Sequence, residues 1–204
     1  GLDQNIYERY LDYLGDLSKG DLGTSFYTKV PVIDSINQYL FDTFELIIIS
    51  LIIALFLGFI IGGIGAYFRG KALDRFTNFL LSIIQSVPDF FLGLLLIYFL
   101  FYKLQIVPAP IGRIGFTDVP PEQITGGLLI DSALSGNWET FRVGLKHAIL
   151  PSITLGIFYS SYFGRTARNV LGNSLNSKQV EFAKSLGLSK FRIFIYALVD
   201  ARTP

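Results

Sequence analysis

Side chains able to make or break bonds are scarce in this chain, and their spacing narrows what they could do. The 204 residues hold one histidine and no cysteine. A zinc or haem site draws on several nitrogen or sulfur ligands, so no metal site is expected. A Ser-His-Asp arrangement would have to be built around His147, and no Gly-x-Ser-x-Gly turn accompanies it. His147 reads instead as a helix-packing residue or an outer-surface hydrogen-bonding group. The run Gly65-Ala66-Tyr67-Phe68-Arg69-Gly70-Lys71-Ala72 matches Gly-x4-Gly-Lys. Ala72, however, replaces the hydroxyl that would hold Mg²⁺, and an apolar helix precedes where a strand belongs. A basic membrane anchor accounts for the run. No catalytic residue and no cofactor bound by this chain are expected. If ATP drives it, another subunit brings the ATPase.

One carboxylate stands inside an apolar run. Residues 76–102 form an apolar span broken by Gln85, Ser86, Pro88 and Asp89. An ionised Asp at a bilayer centre costs about 2.5–3.5 kcal/mol, so such residues face a cavity or a partner. Pro88 has no N–H, so the carbonyl of Ile84 loses its helical donor and a kink is predicted. Gln85, one helical turn before Asp89, then shares its face. The pattern predicts that Gln85, Ser86, Pro88 and Asp89 line a translocation path in which the carboxylate favours cationic groups. The alternative is a protonated Asp89 satisfied inside a helix bundle by Gln85 or a freed carbonyl.

The elements that would position these residues are long and apolar. Hydrophobic residues make up 51% and aromatics 15%, and the mean hydropathy is +0.49. That exceeds an average soluble domain. A net charge of +1 gives no argument for nucleic acid. Residues 46–68 carry no charge, enough helix to cross a core of about 30 Å. Gly58, Gly62 and Ala66 recur every fourth position there. They read as a flat strip for close helix packing, against the plainer fact that Gly is common in membrane helices. A third uncharged run covers 148–164, with Pro151 placed in its first turn.

Charge asymmetry orients the chain. The loop at 69–75 holds Arg69, Lys71 and Arg75 beside Asp74. From 165 onward Arg165, Arg168, Lys178, Lys184, Lys190, Arg192 and Arg202 face only Glu181 and Asp200. These regions are expected in the cytosol, with 103–147 as an outer loop. Residues 1–43 form an extracytoplasmic amphipathic segment, in which Asp3 and six further acids outnumber three bases. Its stripe Tyr7, Tyr10, Leu11, Leu14 and Leu17 recurs at helical spacing. Long continuous apolar runs exclude a β-barrel. The expected fold is all-α, a polytopic helix bundle in the cell membrane over 44–204, with spans near 46–68, 76–102 and 148–164. The chain lacks Met, at position 1 as elsewhere, and is expected to be truncated at both ends.

A basic elbow at 174–200 follows the last apolar run. Val180, Ala183, Leu186 and Leu188 recur at helical spacing. Asn176 or Ser177 can cap this helix, and Gly187 can end it in the left-handed conformation. Ser189 can cap a second helix through Phe191, Ile193, Phe194 and Leu198. Such a helix–Gly–helix is either an ordinary amphipathic hairpin or a convex docking knob.

Glu181, Ala183 and Gly187 resemble the Glu-Ala-Ala-x-x-x-Gly loop of ABC importer permeases, with Phe182 in place of the first Ala. The likeness to the oligopeptide/dipeptide/nickel class of that family runs along the chain. It includes residues 10–17 and 20–25, Thr43-Phe44-Glu45-Leu46, residues 86–95, Gly136-Asn137-Trp138, residues 147–155 and Arg165-Thr166-Ala167-Arg168. The resemblance implies a type I ABC importer transmembrane domain, part of a six-helix subunit. It implies that Glu181, Phe182, Ala183, Gly187 and Leu188 dock on an ATPase. The implied partners are a second permease subunit, two cytosolic ATPases carrying ATP and Mg, an extracytoplasmic substrate-binding protein and membrane lipid. The expected cargo is peptide; nickel or another small solute, and an ATP-independent secondary transporter, are the alternatives.

Overall fold

The computed structural model describes residues 5–115 and 118–200. Asp3 and Arg202 lie outside them, as do the side chains of Gln38, Lys190, Phe191 and Asp200. Among the described residues the chain is helical, with one isolated β-bridge from Thr24 to Pro31. It divides into two units, Gly1–Glu45 with Val119–Phe141 and Leu46–Asp118 with Arg142–Pro204.

The first unit holds α1 (Ile6–Ser18), the start of α2 (Val32–Tyr67), α5 (Leu128–Leu134) and the start of α6 (Trp138–Ser174). The Asn5 side chain caps α1, yet the helix buries none of its residues. The turn before α5 is wrapped around one carboxylate. Asp131 accepts hydrogen bonds from the N–H groups of Ile124, Thr125 and Gly126 and from the Thr125 hydroxyl, at 2.6–3.1 Å. Asp42 and Glu45 take the N–H groups of Leu128 and Ile130. Carboxylates thereby satisfy donors that a helix N-terminus leaves unpaired.

In the second unit, α2 presents Ile52 and Phe56 outward, and both are largely exposed. An apolar outer face of this kind suits lipid or another helix. Among the described residues α2 is long and apolar enough to cross a membrane. The pair α3 (Ala72–Ser86) and α4 (Asp89–Leu96), the latter extended by a π-helix at Ile97–Lys103, meets the same measure as one broken span. The bend between them is 98°, a break where a kink was predicted. Val87 and Pro88 are both extended, with ψ of 127° and 142°. Two consecutive non-helical residues separate Gln85 from Asp89, so the expectation that they share a helical face is wrong.

Pro151 also departs from expectation. It lies inside α6, which begins at Trp138. Arg142 and Lys146 lie within the helix, which Asn137 caps ahead of the uncharged run by accepting the Thr140 N–H at 3.1 Å. The carbonyl of His147 consequently lacks its N–H partner from position 151.

Candidate functional site

The elbow is built from α7 (Lys178–Ser185) and α8 (Lys190–Asp200). Ser177 caps α7, its hydroxyl accepting the Val180 N–H at 3.3 Å. At the other end Gly187 has a φ of 76°. Its N–H bonds to the carbonyl of Lys184 at 3.0 Å, and the N–H of Leu188 reaches that of Ala183 at 3.4 Å. This pair of bonds is a Schellman motif, which consumes carbonyls the helix end would otherwise leave open. The motif turns Leu188 inward against a small core of Val180, Ile193 and Ala197. Leu186, expected in the inner stripe, is 64% exposed instead. It occupies the C-cap, where the chain has already begun to turn. Ala197, fully buried, was not singled out from the sequence because Ala carries little hydrophobic signal.

The face left outside holds Glu181, Phe182 and Leu186. Phe182 and Leu186 stand four residues apart, so they form one apolar ridge. Phe182 is 66% exposed. Among the described residues Glu181 makes no ion pair, and Lys184 donates instead to the carbonyl of Leu175 at 3.4 Å. The elbow is tied to the bundle by the Ser174 hydroxyl, which donates to the Ala197 carbonyl at 2.7 Å.

The second candidate region is the α3–α4 break. Asp89 opens α4, and its Oδ1 accepts the Phe90 N–H at 2.7 Å. The carboxylate is exposed and borders a cavity of about 330 Å³. Phe90, Gly93, Pro151 and Thr154 supply much of the wall, which is largely apolar. Gln85, Ser86 and Pro88 do not border it. The Ser86 hydroxyl bonds back to the carbonyl of Ser82 within its own helix, at 2.8 Å.

Of the small residues, Gly58 and Gly62 lie where α2 meets α6. A Cβ at Gly58 would come within 2.7 Å of the Phe163 Cβ and 2.9 Å of the Gly164 nitrogen. A Cβ at Gly62 would run into the Gly164 carbonyl oxygen. Ala66 is buried on the same strip. Among the described residues no cluster of His, Asp or Glu could hold a metal ion. His147 Nδ1 lies 3.1 Å from the carbonyl oxygen of Gly112. The Gly-x4-Gly-Lys run ends α2 and begins α3, and the Lys71 ammonium lies 5.9 Å from the centre of the Phe68 ring. A phosphate-binding loop would follow a strand.

A long apolar helix, a broken apolar pair and an exposed helix–glycine–helix elbow fit a helical membrane protein. The chain belongs to the family of binding-protein-dependent transport system inner membrane components, whose model matches residues 54–199. It is 35% identical over its whole length to a probable D,D-dipeptide transport system permease protein of Escherichia coli K12. It is 34% identical to a di/tripeptide transport system permease protein of Pseudomonas aeruginosa, and 30% to a dipeptide transport system permease protein of Escherichia coli K12. The alignments cover all of this chain but 60%, 60% and 61% of these relatives.

Proposed function

We propose that this chain is part of the membrane subunit of an ATP-driven peptide importer. It pairs with a second permease subunit in the cell membrane. Two cytosolic ATPases bind ATP and Mg²⁺, and an extracytoplasmic binding protein delivers the peptide. The elbow of α7 and α8 carries the reading. Its core is closed on itself through Val180, Ile193 and Ala197. Glu181 and the Phe182–Leu186 ridge therefore project to the outside, with no ion pair at Glu181 among the described residues, which suits insertion into a groove of an ATPase. The three relatives bearing di- or tripeptide names support peptide as the cargo.

In this reading residues 69–75 and the elbow face the cytosol, and residues 1–43 and 103–147 lie outside. Asp89 and the cavity beside it lie on the path, where a carboxylate over apolar walls favours a cationic terminus attached to an apolar side chain. ATP-driven closure of the ATPases moves the elbow, and the helices open alternately to the two sides.

Co-purification of the full-length protein in mild detergent tests the reading. A stoichiometric ATPase is expected to travel with it. A permease that transports peptide in proteoliposomes with no ATPase present would be a secondary carrier, and the reading would fall.

A further inference from the structure

Helix α3 is fastened to α6 along most of its length. At its first turn Asp74, 5% exposed, accepts Arg168 Nε on Oδ1 at 2.6 Å and the Gly70 N–H on Oδ2 at 2.8 Å. Just ahead of α3, Arg69 Nη1 donates to Asn173 Oδ1 at 3.3 Å. Two turns on, fully buried Leu81 covers Gly164, where a Cβ would come within 2.8 Å of Leu81 Cδ2. Beside it Arg165 Nη2 donates to the Ser82 hydroxyl at 3.2 Å. One helix turn and a half beyond Arg168, α6 reaches Ser174 and its bond to Ala197 of the elbow. The far end of α3 is the break that leads to Asp89.

Apolar contacts such as Leu81 on Gly164 let two helices slide. A short charge-assisted bond does not, because its energy depends steeply on distance and direction. We infer that Asp74 and Arg168 are positioning residues that fix α3 to α6, so that movement of the elbow is delivered to the α3–α4 break. This rests on the transport reading above. The pair touches neither the ATPase-facing ridge nor the cavity; it acts by joining the two.

The test uses full-length permease with its partner permease, ATPases and binding protein in proteoliposomes, reading ATP hydrolysis and peptide uptake together. Asp74→Asn keeps an acceptor for Gly70 and removes the charge; Arg168→Gln removes the opposite charge, and Arg168→Lys keeps it. Peptide taken up per ATP should fall about fivefold or more in the first two, the scale of a lost coupling contact, with assembly and basal ATPase unchanged. Arg168→Lys should retain most of it. In Asp74→Cys with Arg168→Cys, a short bifunctional thiol reagent should restore the ratio by locking the joint. Normal coupling in Asp74→Asn, or no recovery on cross-linking, overturns the inference. Where the neutral variants fail to assemble, the cross-linked pair alone decides. A wild-type complex without binding-protein-stimulated ATPase would instead defeat the transport reading itself.

Discussion

Gly62 of α2 lies against Gly164 of α6 so closely that a methyl group on Gly62 would overlap the Gly164 carbonyl oxygen. Gly62→Ala must therefore push the helices apart, at about 1–3 kcal/mol for an overpacked contact. The neighbouring Gly63 supplies the control. A Cβ there finds only Leu171 Cδ1, at 4.0 Å, so Gly63→Ala should leave stability unchanged or slightly raised. Thermal melting of the full-length permease in detergent reads both. Equal melting of the two variants would mean the close approach at Gly62 is not made.

The helical class and the glycine strip were legible because uncharged length and a four-residue repeat are strong local signals. The elbow was legible from local chemistry of another kind, a cap at Asn176 or Ser177, which the structure places at Ser177, and a stop at Gly187. Other features depended on what the sequence does not display. The 98° break needs Val87 as well as Pro88 to leave the helix; the clash of the Pro88 ring with the residue before it favours that, but a kink in a continuing helix uses only the lost N–H. The start of α6 at Trp138 is hidden because Arg142 and Lys146 interrupt the apolar run, although Arg and Lys are good helix formers. The role of Asp131 is not visible in the sequence, because its donors are backbone N–H groups that no side-chain pattern encodes. The π-helix at Ile97–Lys103 likewise left no mark in an apolar run.

Gly187 separates backbone strain from steric contact. A Cβ there would meet nothing within 4 Å, but φ is +76°. Gly187→Val should cost on the order of 1–3 kcal/mol through strain alone, whereas Gly187→Asn, which tolerates this region, should cost less. Binding-protein-stimulated ATPase in proteoliposomes should fall for Val and survive for Asn. Similar activity in both would remove the geometry of the Schellman turn from the docking role.

Glu181 is exposed and makes no ion pair among the described residues. Glu181→Lys should therefore leave folding within about 0.5 kcal/mol of wild type. In the importer reading it should nonetheless weaken ATPase docking, because it reverses charge at the projecting face. Unchanged ATPase retention through a salt wash would show that the carboxylate is not part of the contact.

Asp131 gives the first unit a pH limit. Burial alone would raise its pKa, but bonds from the Thr125 hydroxyl and the N–H groups of Thr125, Gly126 and Ile124 hold it below the ordinary value of 3.8. A depressed folded pKa stabilises above the unfolded pKa and is lost as pH falls through the folded one. Hydrogen-exchange protection at residues 124–126, taken relative to the intrinsic rate at each pH, should thus be high at neutral pH and fall only as pH drops below about 3.8. Asp131→Asn turns an NH₂ toward donors that need an acceptor, at about 1–3 kcal/mol. It should speed the same amides at neutral pH. If exchange there is already fast in the wild type, the carboxylate does not organise the turn.

Asp89 decides whether the cavity beside the break is a path or a packing defect. Its carboxylate is exposed, and its one hydrogen bond among the described residues goes to the N–H of the next residue, Phe90. A structural role through Gln85 is thereby weakened, since the break separates the two. Asp89→Asn can still accept that N–H and removes only charge; Asp89→Leu removes both. If the charge serves cationic cargo, both variants should assemble. Uptake of a peptide with a free amino terminus should then fall about tenfold or more, the scale of a lost charge-assisted contact. An amino-terminally acetylated peptide, which carries no charge to lose, should be affected far less. Equal losses for the two peptides would make Asp89 a structural residue, and normal uptake in Asp89→Leu would take the carboxylate off the path altogether.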